Sequence, residues 1–311
     1  MMNRLALSAA IGLIAFGLPK GAMATEAALG HYLTGQNAMP LAAILPPAGL
    51  YWSNVSVFYS ASVGGNVDIP VAGQIRAGLK AVVVGTTFTG LWVPDVQIAP
   101  NTTLAFSLSI PVEYVWAQAQ LGAREVTQEN TALGDIMFAP TIGWHSGKNF
   151  LSASVRIFAP TGSYRVGALD NVGMNYWTFS PTLAYTYLDM ARGLDFSMVA
   201  GLDINTRNPD TDYKSGAMFH VDTSLMQYLN KKFAIGVIGA MLYQVEDDDG
   251  GLADKLDGFR GRSFAVGPIV KYTAGTEKHP INMSLSWAPE FGQKNRFKHG
   301  NGVYFSISGS F

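Results

Sequence analysis

The sequence predicts an all-β protein, a transmembrane antiparallel up-and-down β-barrel of about 12 strands. Three observations lead to this prediction. Apolar and small polar residues alternate in many short segments, charged residues make up only 14% of the chain, and beyond the N-terminus no apolar run is long enough for a membrane helix. Soluble domains carry roughly 25% charged residues. Because unpaired backbone polar groups cannot face hydrocarbon, short strands span a membrane only as a closed barrel.

The first 24 residues have the pattern of a secretory signal peptide. Arg4 precedes an apolar run at residues 5–18, and residues 22–24 read Ala-Met-Ala, a small-x-small cleavage site. The apolar run is too short to span a bilayer as a helix. We therefore expect the mature chain to begin at Thr25 and to reach the outer membrane of a Gram-negative bacterium.

Charge and cysteine content exclude several classes of function. Removing residues 1–24 takes away Arg4 and Lys20, which leaves 19 Lys and Arg against 22 Asp and Glu. This balance does not favour a nucleic-acid partner. The chain has no cysteine, so disulfides, thiolate metal sites and cysteine nucleophiles are excluded. No cofactor is implied.

The clearest alternation is at the C-terminus. Val303, Phe305, Ile307, Gly309 and Phe311 share one face, and tyrosine and serine stand between them. A soluble sandwich also alternates, but its polar face is rich in Lys and Glu, whereas here the second face is Ser, Thr, Gly and Ala with few charges. This composition favours a barrel lumen. Phe311 is expected to be part of the assembly signal of the barrel.

Reading every alternating segment gives twelve strands and a barrel over residues 49–311. The predicted strands are 48–60, 72–93, 102–119, 132–146, 149–160, 173–188, 193–206, 213–229, 232–246, 259–273, 279–290 and 300–311. An even number puts both chain ends at the periplasmic side, and the connections agree: short turns there and longer, polar loops outside, including one at 291–300. The segment 72–93 contains Gly85 and Gly90 and could be one strand or two.

Residues 25–48 do not alternate for long. They are mostly apolar or small and contain Pro40, Pro46 and Pro47. The segment could enter the lumen from the periplasmic side as a plug or gate, or it could be a loose periplasmic tail. The sequence leaves these two alternatives open.

Inward-facing charges decide what passes a narrow barrel. Parity within the strands predicts a selectivity set of Glu113, Arg156, Asp203, His220 and Asp222. The alternative is that these residues only stabilise the barrel wall. Parity also places these residues inside: Arg76, Lys80, Asp135, Asp195 and Lys271.

Two loops carry clusters of oxygen ligands, but neither has the pattern of a dedicated metal site. In residues 205–215, Asn208, Asp210 and Asp212 could bind Ca²⁺, although Asx turns that stiffen the loop explain them better. The acidic run 246–249 could meet the cations that bridge lipopolysaccharide, or it could be a solvated loop tip. No metal site is predicted.

Several segments beyond the strand pattern resemble an outer-membrane family named after the MetA-pathway of phenol degradation, often described as transporters. The matching segments, in order, are LPPAGLY at 45–51, PTGSY at 160–164, NYWTFSP at 175–181, DINTRNPDTDYKSG at 203–216, GP at 267–268 and FGQKNR at 291–296. The stretch 203–216 is the most specific. The resemblance implies an outer-membrane channel for small organic, often aromatic, compounds, and it supplies no binding residues.

The functional hypothesis is passive uptake of small hydrophobic or aromatic solutes, with desolvation along Met218, Met226 and Tyr228. Expected partners are outer-membrane lipids, lipopolysaccharide, the barrel assembly machinery and the solutes. The alternatives are a structural barrel and a lipid-modifying enzyme with Ser and His on the lipid face. His145 and His220 fall on the inward parity, and no G-x-S-x-G motif is present, so an enzyme is disfavoured.

Overall fold

The structure is a computed structural model that describes residues 30–62, 68–71, 74–121, 124–250, 260–276 and 279–311. The predicted signal peptide lies outside the described residues. The strands are β1 Gly49–Ser62, β2 Asp68–Val71, β3 Gln74–Val93, β4 Thr102–Leu121, β5 Arg124–Leu133, β6 Ile136–Ser146, β7 Asn149–Ala159, β8 Thr178–Asp189, β9 Leu194–Asn205, β10 Met218–Tyr228, β11 Phe233–Gln244, β12 Arg262–Gly275, β13 Pro280–Lys294 and β14 Lys298–Ser310.

Twelve of these strands close into a ring. Its order is β1, β14, β13, β12, β11, β10, β9, β8, β7, β6, β4 and β3, and β3 pairs again with β1. The first and last strands meet antiparallel, with Trp52 opposite Gly309 and Phe58 opposite Val303. Closure leaves every wall strand with a neighbour on both sides, which is the requirement for spanning hydrocarbon. The predicted twelve-stranded antiparallel barrel is confirmed.

Two strands pair end to end with the same edge of β4. β4 pairs with β6 along Thr102 to Ser109 and with β5 along Val112 to Leu121. β5 and β6 therefore continue each other, and Gly134 and Asp135 lie in the break, where the register slips by one residue as in a β-bulge. β5 and the short β2 extend hairpins with β4 and β3 beyond the ring.

The segment 72–93 forms the single strand β3 from residue 74 onward. Its two glycines, Gly85 and Gly90, pair in register with Glu113 and Leu108 of β4. The glycines therefore do not divide the strand.

Other predicted boundaries are wrong at the loops. The strands expected at 173–188 and 213–229 begin only at Thr178 and Met218, because the residues before them belong to loops that fold over the mouth of the barrel. The long loop expected at 291–300 is short, since three residues separate β13 from β14.

The two faces of the wall differ as the alternation predicts. Large apolar side chains are exposed on the outside, for example Phe88 at 57%, Leu183 at 58% and Val266 at 58%. Inward positions such as Ser197 and Asp222 are at most 1% exposed. An apolar exterior around an interior that also holds polar groups is the arrangement of a membrane barrel.

The two ends of the ring also differ. At the turn end, where β1 begins and β14 finishes, two residues join β6 to β7 and four join β8 to β9. At the loop end, eighteen residues (160–177) join β7 to β8, and twelve (206–217) join β9 to β10. Among the described residues, no helix is long and apolar enough to cross a membrane.

Candidate functional site: the barrel lumen

Residues 30–48 are called here the N-terminal segment, and all of it except the exposed Pro47 and Ala48 lies inside the barrel. The N–H of Leu41 donates to Asp195 Oδ2 at 3.0 Å, and the N–H of Ala43 donates to Thr186 Oγ1 at 3.0 Å. Because the segment forms no strand, its amides lack ladder partners, and polar side chains of β8 and β9 satisfy them. The wall therefore holds the segment by its backbone.

Strands β10 and β14 hold its carbonyl groups. Ser224 Oγ donates to the carbonyl oxygen of Met39 at 3.0 Å, and Tyr304 Oη donates to that of Thr34 at 3.0 Å. These bonds join the segment to β10 and β14. The segment is thus fixed to the wall from β8 round to β14.

His31 occupies an aromatic and polar pocket near the loop end. Its ring stacks on Phe158 with centroids 4.4 Å apart. Its Nε2 lies 2.9 Å from Asp135 Oδ2, and its Nδ1 lies 2.9 Å from Thr178 Oγ1. Both ring nitrogens are engaged, so this side chain anchors the segment to β7, β8 and the bulge before β6.

Tyr32 packs against a cluster formed by three of the predicted lumen residues. Its ring stacks on His220 at 4.1 Å between centroids, and its Oη donates to Asp222 Oδ1 at 2.9 Å. His220 Nε2 in turn lies 3.4 Å from Asp203 Oδ1. His220, Asp203 and Asp222 are each at most 2% exposed. Instead of lining open space, these groups form a buried cluster under Tyr32.

Arg156 joins the same cluster through the N-terminal segment. Its Nη1 donates to Asn37 Oδ1 at 2.9 Å, and its charge interacts with Asp203 and Asp222. Four of the five residues predicted for the selectivity set are therefore brought together. Glu113 is the exception: it makes no hydrogen bond or ion pair with the other four, although it lines the same cavity as Arg156.

Asp135, in the bulge between β5 and β6, organises the loop end. Besides His31, it accepts hydrogen bonds from the N–H of Gly162 at 2.8 Å and from the N–H of Met174 at 2.8 Å. One carboxylate thus connects the N-terminal segment to both ends of the loop 160–177. Charge-assisted bonds of this kind are stronger than neutral ones.

The loop 160–177 lies over the mouth of the barrel, and its two ends are in close contact. A Cβ atom on Gly173 would stand 2.6 Å from the carbonyl carbon of Gly162, so neither position has room for a side chain. Leu169 and Val172 of this loop are buried, and both border the cavity described below.

The second loop, 206–217, packs beside it. The N–H of Asp210 donates to Asn208 Oδ1 at 3.0 Å, which is an Asx turn. Tyr213 Oη donates to Asp248, which is 4% exposed and also accepts from the N–H of Gly216 at 2.7 Å. Asp248 is therefore buried and structural, whereas Glu246, Asp247 and Asp249 are exposed, as expected of a solvated loop tip.

A cavity of about 510 Å³ remains between the N-terminal segment and the wall of β1, β3, β4, β6 and β7. Leu169 borders it near the loop end and Leu45 near the turn end. Its wall is mostly apolar, with Val57, Val83 and Val115 among the lining side chains. Pockets that bind small organic ligands have this size and character.

Some other residues do not lie where the sequence predicted them. Met218 and Met226 are at most 1% exposed and pack against the N-terminal segment, so they do not border the cavity, contrary to the expected route. Lys80 is exposed on the parity of the outward Val84, although its atoms reach the cavity edge. The side chain of Arg76 lies outside the described residues.

Sequence reasoning missed His31, Tyr32 and Asn37 as lumen residues. They lie in a segment without periodicity, so no parity rule could orient them. The available indication was compositional, since two aromatic rings adjoin in a segment otherwise rich in small residues.

Phe311 follows β14, and its N–H donates to the carbonyl oxygen of Leu50 at 3.2 Å. Its side chain is 81% exposed, so packing does not explain the ring. Deleting Phe311 should lower insertion of newly made chain, measured as the heat-modifiable fraction in outer membranes. Ser310→Ala keeps the terminal ring and should insert normally. Equal insertion of both variants would contradict an assembly role.

The family model described as "MetA-pathway of phenol degradation" matches residues 62–307. No curated protein matches this chain. The match covers most of the barrel and leaves out the N-terminal segment.

Among solved structures, an outer membrane channel from Pseudomonas putida F1 is 15% identical, with a TM-score of 0.66, over 88% of this chain and 100% of that one. The transport unit of the autotransporter AIDA-I from Escherichia coli is 9% identical, with a TM-score of 0.49, over 85% and 90%. A FadL homologue from Pseudomonas aeruginosa is 10% identical, with a TM-score of 0.42, over 94% and 99%. The first likeness shows a shared fold, that of an outer-membrane barrel.

Proposed function

Because the chain belongs to the family described as "MetA-pathway of phenol degradation", we propose that it is an outer-membrane channel for passive uptake of small hydrophobic or aromatic compounds. The observation that carries the proposal is the mostly apolar cavity of about 510 Å³ inside a closed barrel. A cavity beside the N-terminal segment gives an apolar solute a place to shed water on its way through the lumen.

The apolar outer face supports placement in the outer membrane of a Gram-negative bacterium. Exposed apolar side chains such as Phe88, Leu183 and Val266 are unfavourable in water and favourable in hydrocarbon. The membrane lipids, lipopolysaccharide and the barrel assembly machinery are the partners that this placement proposes. A link to aromatic catabolism rests on the family description alone.

Swelling of liposomes that contain lipopolysaccharide and refolded protein tests the channel. We expect phenol to enter at least about tenfold faster than a disaccharide, because the N-terminal segment leaves no wide aqueous path. Protein-free liposomes give the background that is subtracted. Equal rates for both solutes, or no flux above background, would contradict the proposal.

The cluster at Tyr32 is proposed to set charge preference in the same assay. Arg156→Ala removes a positive group beside the carboxylates of Asp203 and Asp222, so cationic aromatics should gain relative to benzoate. Arg156→Lys keeps the charge and is the matched control. An unchanged ratio in Arg156→Ala would leave these residues with a structural role only.

A further inference from the structure

We propose that Glu113 is the ligand-selecting residue of the lumenal cavity, which takes small apolar molecules bearing one hydrogen-bond donor, a hydroxyl or an ammonium group. This proposal rests on the proposed function and names the solute class. The geometry around Glu113, its lack of partners and the apolar walls beside it carry the inference.

The backbone opposite Glu113 makes room for its side chain. Glu113 pairs with Gly85 of β3, and a Cβ atom on that glycine would stand 2.9 Å from Glu113 Cγ and 3.3 Å from Val57 Cγ1. Any larger residue at position 85 would displace the glutamate. The carboxylate therefore lies along the wall, inside the cavity and beside an apolar neighbour.

Glu113 makes no hydrogen bond or ion pair with any residue that the structure describes. The charged groups that interact with Glu113 are already engaged. His31 and Asp135 interact electrostatically with Glu113, but they are bonded to each other at 2.9 Å, and the second nitrogen of His31 contacts Thr178. The two groups that interact electrostatically with Glu113 are therefore paired with other residues, and Arg156, which also lines the cavity, donates to Asn37 Oδ1 instead.

The other inward carboxylates are used differently. Asp135, Asp195, Asp203 and Asp222 each contact an amide, a hydroxyl or a histidine that positions the N-terminal segment or a loop. Glu113 contributes nothing of this kind to the fold. A carboxylate in apolar surroundings without a partner costs free energy, so its donor is expected to arrive with a ligand.

The surroundings define the rest of the ligand. Val57, Val115 and Val172 line the same cavity and favour an apolar body. Glu113 accepts from a hydroxyl or ammonium group and repels an acid. Phenol and benzylamine are probes with a donor, anisole has a ring and no donor, and benzoate carries the wrong charge.

Calorimetric titration of the purified full chain in detergent, blanked against protein-free micelles, measures each probe. We expect phenol and benzylamine to bind about tenfold tighter than anisole, since a hydrogen bond to a charged group has this effect. Benzoate should bind weakest. Glu113→Gln should reduce the preference for benzylamine to about twofold or less and weaken that for phenol.

Glu125→Gln is the matched control, because Glu125 lies on the neighbouring β5 with an exposed side chain. It should keep the wild-type order of affinities. Heat-modifiable migration shows that each variant is folded. No donor preference in the natural chain, or the same preference in Glu113→Gln, overturns the proposal.

The outcomes separate this inference from the channel itself. Donor-selective binding without flux into liposomes would overturn the channel and leave the binding site. Flux of phenol and anisole at equal rates, with equal affinities, would keep the channel and remove Glu113 as the selecting residue.

Discussion

Deletion of residues 30–45 is expected to convert the protein from a channel that excludes sugars into one that admits them. The deletion removes the material that Asp195, Ser224 and Tyr304 hold inside the lumen, and the wall strands keep all their neighbours. Disaccharide-driven swelling should rise by at least about tenfold, because flux through a narrow pore depends steeply on its width. Unchanged heat-modifiable migration would show that the barrel still folds.

A covalent lock provides the matching control. The natural chain has no cysteine, so a pair introduced as Ala42→Cys and Ser197→Cys has no competing partner. These positions are in contact, since the N–H of Ala42 donates to Ser197 Oγ at 3.3 Å. With the segment locked, phenol flux should stay within about twofold of the reduced form if solutes pass beside the segment. A loss of flux that reductant restores would show that the segment has to move. For the deletion variant, continued exclusion of sugars would show that another element closes the lumen.

Asp135→Ala is expected to release the loop 160–177 from the mouth. The substitution leaves the N–H groups of Gly162 and Met174 without their acceptor and removes the partner of His31. Stranding two such donors costs roughly 3 kcal/mol in local stability. Trypsin should then cleave after Arg165 in the loop at least about tenfold faster.

Cleavage in intact cells measures this effect and reports the loop's accessibility at the same time. Asp95→Ala changes an exposed aspartate at the turn end and should leave the rate unchanged. If Asp135→Ala also had no effect on cleavage, the loop would be held by its other contacts.

The strand pattern was predictable because period-two alternation determines both where a strand runs and which side chains face inward. Arg156, Asp203 and His220 could therefore be placed in the lumen from parity alone. That they converge on one point depends on the register between strands β7 to β10 and on the position of the N-terminal segment, which parity does not contain. The bulge at Asp135 shifts the register by one residue, and it could not be predicted from the sequence for the same reason.

The N-terminal segment was the least predictable part. His31 and Tyr32 have no neighbouring pattern that orients them, and their partners are 104 to 190 residues away along the chain. The predicted starts of the strands that begin at Thr178 and Met218 were wrong for a related reason. Their aromatic residues look like strand material, but Tyr176 and Tyr213 are buried in the folded-over loops instead of standing in the wall.

The attachments of the N-terminal segment also constrain the order of assembly. Thr34 is held by Tyr304, a residue 270 positions later and on the last strand. The groove that receives Thr34 is complete only when β14 has paired with β1 and β13. The earliest described part of the chain to be synthesised is therefore the last to find its place, and docking of residues 30–45 should appear in refolding as a late kinetic phase after the wall has formed.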